Sequence, residues 1–112
     1  MRAAVFVALG EPSRLRIVEL LRGGPQSVGT IADALGIRQP QVSKHLRVLG
    51  DSGIVSSHAR ARQRFYQLES GPFEDIGRWA ESFEQLWNTR LDNLGAFLES
   101  MADNDEKGRP AP

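Results

Sequence analysis

The chain has 112 residues, enough for one modest core, with 40% hydrophobic and 25% charged residues, an ordinary globular balance. It has no cysteine, which removes disulfides, thiolate metal sites and thiol redox chemistry and suits a reducing cytoplasm. The net charge is zero but split: residues 1–69 carry ten Arg or Lys against five acids, and residues 70–112 four against nine, the pattern of a protein that turns one face to a polyanion.

Ala3 to Leu9 is apolar nearly all round and reads as a short helix that needs cover on more than one side. Gly10-Glu11-Pro12 follows at once, so the run lacks the length and cleavage site of a secretory leader. No run approaches the roughly 20 apolar residues of a membrane span, and a cytoplasmic location is expected. Pro12 or Ser13 starts a second helix, with Ile17, Leu20 and Leu21 at i, i+3 and i+4, and Gly23-Gly24-Pro25 ends it. Ser27 suits the N-cap of a third helix, Val28 to Leu35, whose inner face is Ile31, Ala32 and Leu35. Gly29 weakens that helix by up to about 1 kcal/mol relative to Ala. Gly36 then offers the φ > 0 that a tight turn needs.

In Gln39 to Val55, Val42, Leu46 and Leu49 fall at i, i+4 and i+7, one apolar stripe of a helix. Pro40 suits its first turn, and Gly50 or Gly53 stops it. Gln41, Ser43, Lys44 and Arg47 project away from the stripe, and such groups hydrogen-bond base edges and phosphates. Two helices joined by a tight Gly turn make a helix-turn-helix, and the second helix is expected to read DNA.

After Gly53 the period changes to two. Val55 to Arg60 and Arg64 to Leu68 read as two strands of a hairpin, a wing with Arg60, Arg62 and Arg64 near its tip to meet phosphates or a minor groove. The turn, Ala61 to Gln63, has no Gly, Asn or Asp, which argues against a tight two-residue turn and for a mobile loop. A long helix is expected from about Pro72 to Met101. Phe73, Ile76, Ala80, Phe83, Trp87, Leu94, Phe97 and Met101 form a heptad-like seam, and Trp79, Leu86, Leu91 and Leu98 a second stripe. Two apolar faces exceed what one small domain can cover, so one is expected to pack home and the other to meet a partner. Residues 1–102 are expected to form one DNA-binding and dimerisation domain, and 103–112 a disordered tail.

Three segments together resemble the ArsR family of small winged-helix repressors: ALGEPSRLRIVELL (8–21), IADALGIRQPQVSKHLRVLGDSGIV (31–55) and RQRFYQL (62–68). The resemblance implies a mainly α winged helix-turn-helix of about five helices and two strands. It implies a homodimer formed through the first and last helices, with Val5, Phe6, Leu9, Phe83, Trp87, Leu91, Leu94, Phe97 and Leu98 at the interface. It places Gln39, Gln41, Ser43, Lys44, His45 and Arg47 on the DNA-reading helix and Arg60, Arg62 and Arg64 on the wing. The expected function is sequence-specific transcriptional regulation, most simply repression from a palindromic operator in duplex DNA, with no membrane partner.

The family's metal sensors carry thiolates on the helix matching Ile31–Ile37, or His and carboxylates on the last helix. Neither Cys nor His stands in those places, so the chain is similar to the non-metal branch and no metal or cofactor is expected. His45 and His58 are the only histidines, with Asp51 and Glu69 the nearest carboxylates in sequence, and are expected to be surface or DNA-facing. Catalysis lacks a Cys nucleophile and a glycine-rich phosphate loop, and Ser43 and His45 face different ways on a helix. The alternatives are a metal-responsive repressor of the same family and a winged helix that only dimerises.

Overall fold

The computed structural model describes the backbone over residues 3–108 and the side chains over 3–102. The tail expected over 103–112 lies outside the fully described residues. Its elements are α1 (Ala3–Leu9), α2 (Pro12–Leu21), β1 (Gln26–Ser27), α3 (Val28–Leu35), α4 (Gln39–Asp51), β2 (Val55–Arg60), β3 (Gln63–Leu68) and α5 (Ser70–Gly108). The chain divides after Ile76 into two units, 1–76 and 77–112.

In the first unit, local chemistry sets each helix end. Glu11 caps α2 by accepting the Arg14 N–H at 2.8 Å. The Arg14 side chain turns back, donating Nε–H to the Ala8 carbonyl at 2.7 Å and Nη2–H to Val7 at 3.3 Å, which ties α1 to α2. Ser27 caps α3 by accepting the Thr30 N–H at 3.2 Å. Gly36 closes α3 at φ 69°, a left-handed conformation that glycine takes without a Cβ penalty. Arg16 donates to the Leu35 carbonyl at 3.2 Å, so α2 holds the exit of α3. The α4 helix runs through Gly50. It ends where Ser52 Oγ donates towards the Val48 and Leu49 carbonyls, both at 3.0 Å, and Gly53 takes φ 78°.

The core joins α1 to α4 and the start of β2. Its largest fully buried side chains are Ile17, Ile31, Val42, Leu46, Leu49 and Ile54. Half of them come from the α4 stripe. Burying three such side chains is worth about 5–9 kcal/mol gross, which fixes the rotation of α4 about its axis. Phe73 and Ile76, from the first turns of α5, pack against this core.

The sheet has three antiparallel strands in the order β1-β3-β2. The first pairs Gln26 with Tyr66 and Ser27 with Phe65, and two residues are too few to show a period in sequence. The hairpin register pairs Val55 with Leu68 and Arg60 with Gln63, which leaves Ala61 and Arg62 as the whole loop. Their φ angles are 49° and 69°. A tight two-residue turn therefore forms where a looser loop was expected. Positive φ at both central positions matches the right-handed twist of the strands, and that match outweighs a left-handed cost of roughly 1–2 kcal/mol per residue.

In the second unit, 77–112, α5 presents its large apolar side chains to solvent. Trp79, Phe83, Leu86, Trp87, Leu91, Leu94, Phe97, Leu98 and Met101 are all exposed in the single chain. Trp79 and Phe83 meet edge to face at 5.0 Å. The two stripes expected on this helix are one face. At about 100° per residue, Phe73 to Met101 fall within an arc of about 140°. Its first members, Phe73 and Ile76, are part-buried, and from Trp79 onward its large members are exposed. At the other end of the chain, Val5 is only 5% exposed and belongs to the chain's own core. That removes it from the outward face of α1, which presents Phe6 and Val7 instead; Leu9 is half-buried against the core.

Candidate nucleic-acid interface

The core stripe of α4 decides what the helix shows outward. Val42 and Leu49 are 0% exposed and Leu46 is 1%. By helix phase, Lys44 and Arg47 point most directly away from that stripe, and Gln41 and Ser43 lie on its flanks. All four are exposed, as is Gln39 at the first turn. Arg47 and Lys44 bring donors only, while Gln41 and Gln39 bring both donors and acceptors, the inventory for phosphates and base edges.

His45 does not join them. It is half-buried on the inner flank, with Nδ1 3.6 Å from the Glu11 carboxylate of the α2 cap. The Arg14 backbone N–H holds the Glu11 carboxyl below the usual carboxylate range; partial desolvation opposes this, and the Ser13 N–H and His45 reinforce it. His45 thus pairs α4 with the N-terminus of α2, a contact between residues 34 apart that helix periodicity does not display.

The wing places its arginines differently. Arg60, Arg62 and Arg64 are all exposed. Arg62 sits on the turn itself. Arg64 donates from Nη1 to Ser57 Oγ at 2.9 Å across the hairpin, which orients its guanidinium. At the base of the wing, Ser56 Oγ bonds the Glu69 carboxylate, and Glu69 N–H donates to the Ile54 carbonyl at 2.8 Å. His58 stacks on Phe65 at 6.0 Å, which stiffens the hairpin.

A shallow cleft of about 260 Å3 lies where α3, α4 and the wing meet, lined by Ser27, Val28, Gly29, Gln39, Gln63 and Arg64. Gln63 enters this lining only through the hairpin pairing, which a two-residue period does not reveal. Gly29 lies beside the Gln39 side chain, where even a Cβ would stand at an ordinary contact distance of 3.6 Å from Gln39 Nε2. The cleft joins the first turn of α4 to Arg64 of the hairpin on one surface.

Among the described residues, no three or more His, Cys, Asp or Glu side chains gather as a metal site. No helix among them is long and apolar enough to cross a membrane.

A helix-turn-helix with an antiparallel hairpin beside it, tipped by arginine, is a winged helix. Residues 11–57 match the family described as "Bacterial regulatory protein, arsR family". Transcriptional repressor SdpR of Bacillus subtilis (strain 168) is 33% identical over 79 residues, covering 70% of this chain and 88% of that protein. HTH-type transcriptional regulator Rv2034 of Mycobacterium tuberculosis is 30% identical over 97 residues, covering 87% and 88%. Among solved structures, an ArsR-like transcriptional regulator from Rhodococcus sp. RHA1 superposes with a TM-score of 0.71 at 27% identity, over 85% of this chain and 90% of that one. The chain belongs to the ArsR family.

Proposed function

We propose that the protein is a homodimeric repressor that reads an imperfect palindrome in duplex DNA. The observation that carries this is the α4 surface: an exposed face with Gln41, Ser43, Lys44 and Arg47, rigidly aimed because Val42, Leu46 and Leu49 anchor its other side. Lys44 and Arg47 contact the major groove, with Gln39, Gln41 and Ser43 selecting sequence at base edges. Arg60, Arg62 and Arg64 bind the flanking backbone and supply salt-dependent affinity. His45, turned toward Glu11, steadies the helix and touches no base. Residues 1–102 combine DNA binding with self-association through the exposed faces of α1 and α5. Two-fold symmetry sets the reading helices about 34 Å apart, one turn of DNA. Occupancy of a promoter then blocks transcription, and a chromosomal operator puts the protein in the cytoplasm.

Selection of bound duplexes from random DNA with the purified chain tests the reading directly. Two inverted half-sites whose centres lie about 10–10.5 base pairs apart, or a multiple of that, are expected. Recovery of a single unrepeated half-site would overturn the dimeric reading, and recovery of no preferred sequence would overturn the reading role of α4.

A further inference from the structure

The two faces of the hairpin carry different arginines. Side chains alternate along a strand, and directly paired residues share a face. The register therefore sets Ser57 and Arg64 on the same face as Val55, Tyr66 and Leu68, and Arg60 on the other with His58 and Phe65. Val55 is buried, and Tyr66 and Leu68 pack against the core. Arg64 thus continues the inner face of the sheet, and it borders the cleft shared with Val28, Gly29 and Gln39.

Arg64 is also held in place. Its Nη1–H donates to Ser57 Oγ at 2.9 Å, from the residue paired with Ala59 to the one two positions further along the same face. A free arginine gives up rotamer freedom when it meets an anion, and a guanidinium already oriented gives up less. Ser57 is neutral, so the bond leaves the charge of Arg64 uncancelled, and no carboxylate pairs with that guanidinium among the described residues. Only one of its five N–H donors is engaged, and the others remain for an anion.

We infer that Ser57 is a positioning residue for DNA binding: it aims the Arg64 guanidinium into the cleft beside the first turn of α4, and there Arg64 holds one phosphate of the DNA backbone. The inference rests on the DNA-reading role proposed above and adds to it the side chain that decides where the wing grips. A phosphate held next to Gln39 fixes the register in which α4 meets the base edges. Arg60, on the opposite face of the hairpin, acts independently of Ser57.

The test uses the full chain and the duplex recovered by the selection above, with binding read by fluorescence anisotropy over a series of salt concentrations. Ser57 is exposed, so its truncation leaves the core intact. Ser57→Ala should weaken binding about two- to tenfold, the cost of ordering one long side chain at the moment of contact. The slope of log affinity against log salt should not change, because the charge stays. Ser57→Thr keeps the hydroxyl, suits a strand, and should bind like the unaltered protein. Arg64→Ala should lower the slope by about 0.9, and in that background Ser57→Ala should cost nothing further. A Ser57→Ala variant that binds as tightly as the unaltered protein, or that loses as much with Arg64 absent as with it present, would overturn the inference and leave the DNA-reading role standing. So would an Arg64→Ala variant with an unaltered slope. Recovery of no preferred duplex would overturn that role and this inference with it.

Discussion

Replacing Arg62 with glycine should stabilise the fold and weaken DNA binding at once. Arg62 holds φ at 69° on a two-residue turn and is exposed, with no hydrogen bond or ion pair described for it. A left-handed conformation costs an L-residue roughly 1–2 kcal/mol, and glycine avoids that at an entropic cost of roughly 0.5–1 kcal/mol. The net gain is up to about 1.5 kcal/mol, a rise in melting temperature of up to about 12 °C for a folded unit of this size. Thermal denaturation followed by circular dichroism reads it. The same change deletes a guanidinium from the wing tip. If that group meets a phosphate, the slope of log affinity against log salt should fall by about 0.9. Ala61→Asn, at φ 49°, separates the two effects: asparagine tolerates the left-handed region and keeps the charge, so stability should rise with no change in slope. A lower melting temperature for Arg62→Gly would refute the strained-turn account. An unaltered salt slope would remove Arg62 from the phosphate contacts.

Lys44→Ala or Arg47→Ala should weaken operator binding by about 1–3 kcal/mol in a mobility-shift assay without moving the melting temperature; equal binding would end their assignment as contacts. Leu46→Ala, at a side chain 1% exposed, should cost about 2–5 kcal/mol of stability in urea titrations, and a cost under about 1 kcal/mol would mean α4 is not anchored as described. Glu11 has a lowered carboxyl pKa, so its contribution to stability is present above the unfolded-state value and lost as pH falls through the folded-state value. Glu11→Gln should therefore flatten the acid limb of the melting-temperature profile between about pH 5 and pH 2, and an unchanged limb would count against the capping interaction. Phe97→Glu should yield monomers by light scattering with reduced operator affinity; a variant that stays dimeric would place the interface elsewhere.

The helix α4 was legible because two independent signals agree there. A 3.6-residue period fixes its buried side, and Gly36 marks the left-handed turn that precedes it. What the sequence hid depends on contacts without a period. The strand β1 is two residues long and exists only because Tyr66 and Phe65 lie opposite. The wing turn has the wrong residues for its own conformation, and only the pairing of Arg60 with Gln63 imposes it. His45 shares a helix with Lys44 but sits one residue, about 100°, further round, which takes it from the outer face to the Glu11 side. Val5 lies in a helix apolar all round, and composition alone cannot say which of its residues turn inward. The two stripes of α5 merged for a related reason: spacing along the chain separates them, and rotation about the axis does not.

The proposed reading gives the exposed α5 face a direct part in gene control. A lone reading unit has few phosphate contacts, and affinity of that kind sits at about 10⁻⁴–10⁻⁶ M at physiological salt. Joining two units turns the second half-site encounter into an intramolecular step, which multiplies affinity by about 10²–10⁴ without a new contact. Operator occupancy then follows the concentration of dimer rather than of chain. On this account operator occupancy follows the amount of dimer, and the face of α4 that Val42, Leu46 and Leu49 hold outward decides which operator is filled.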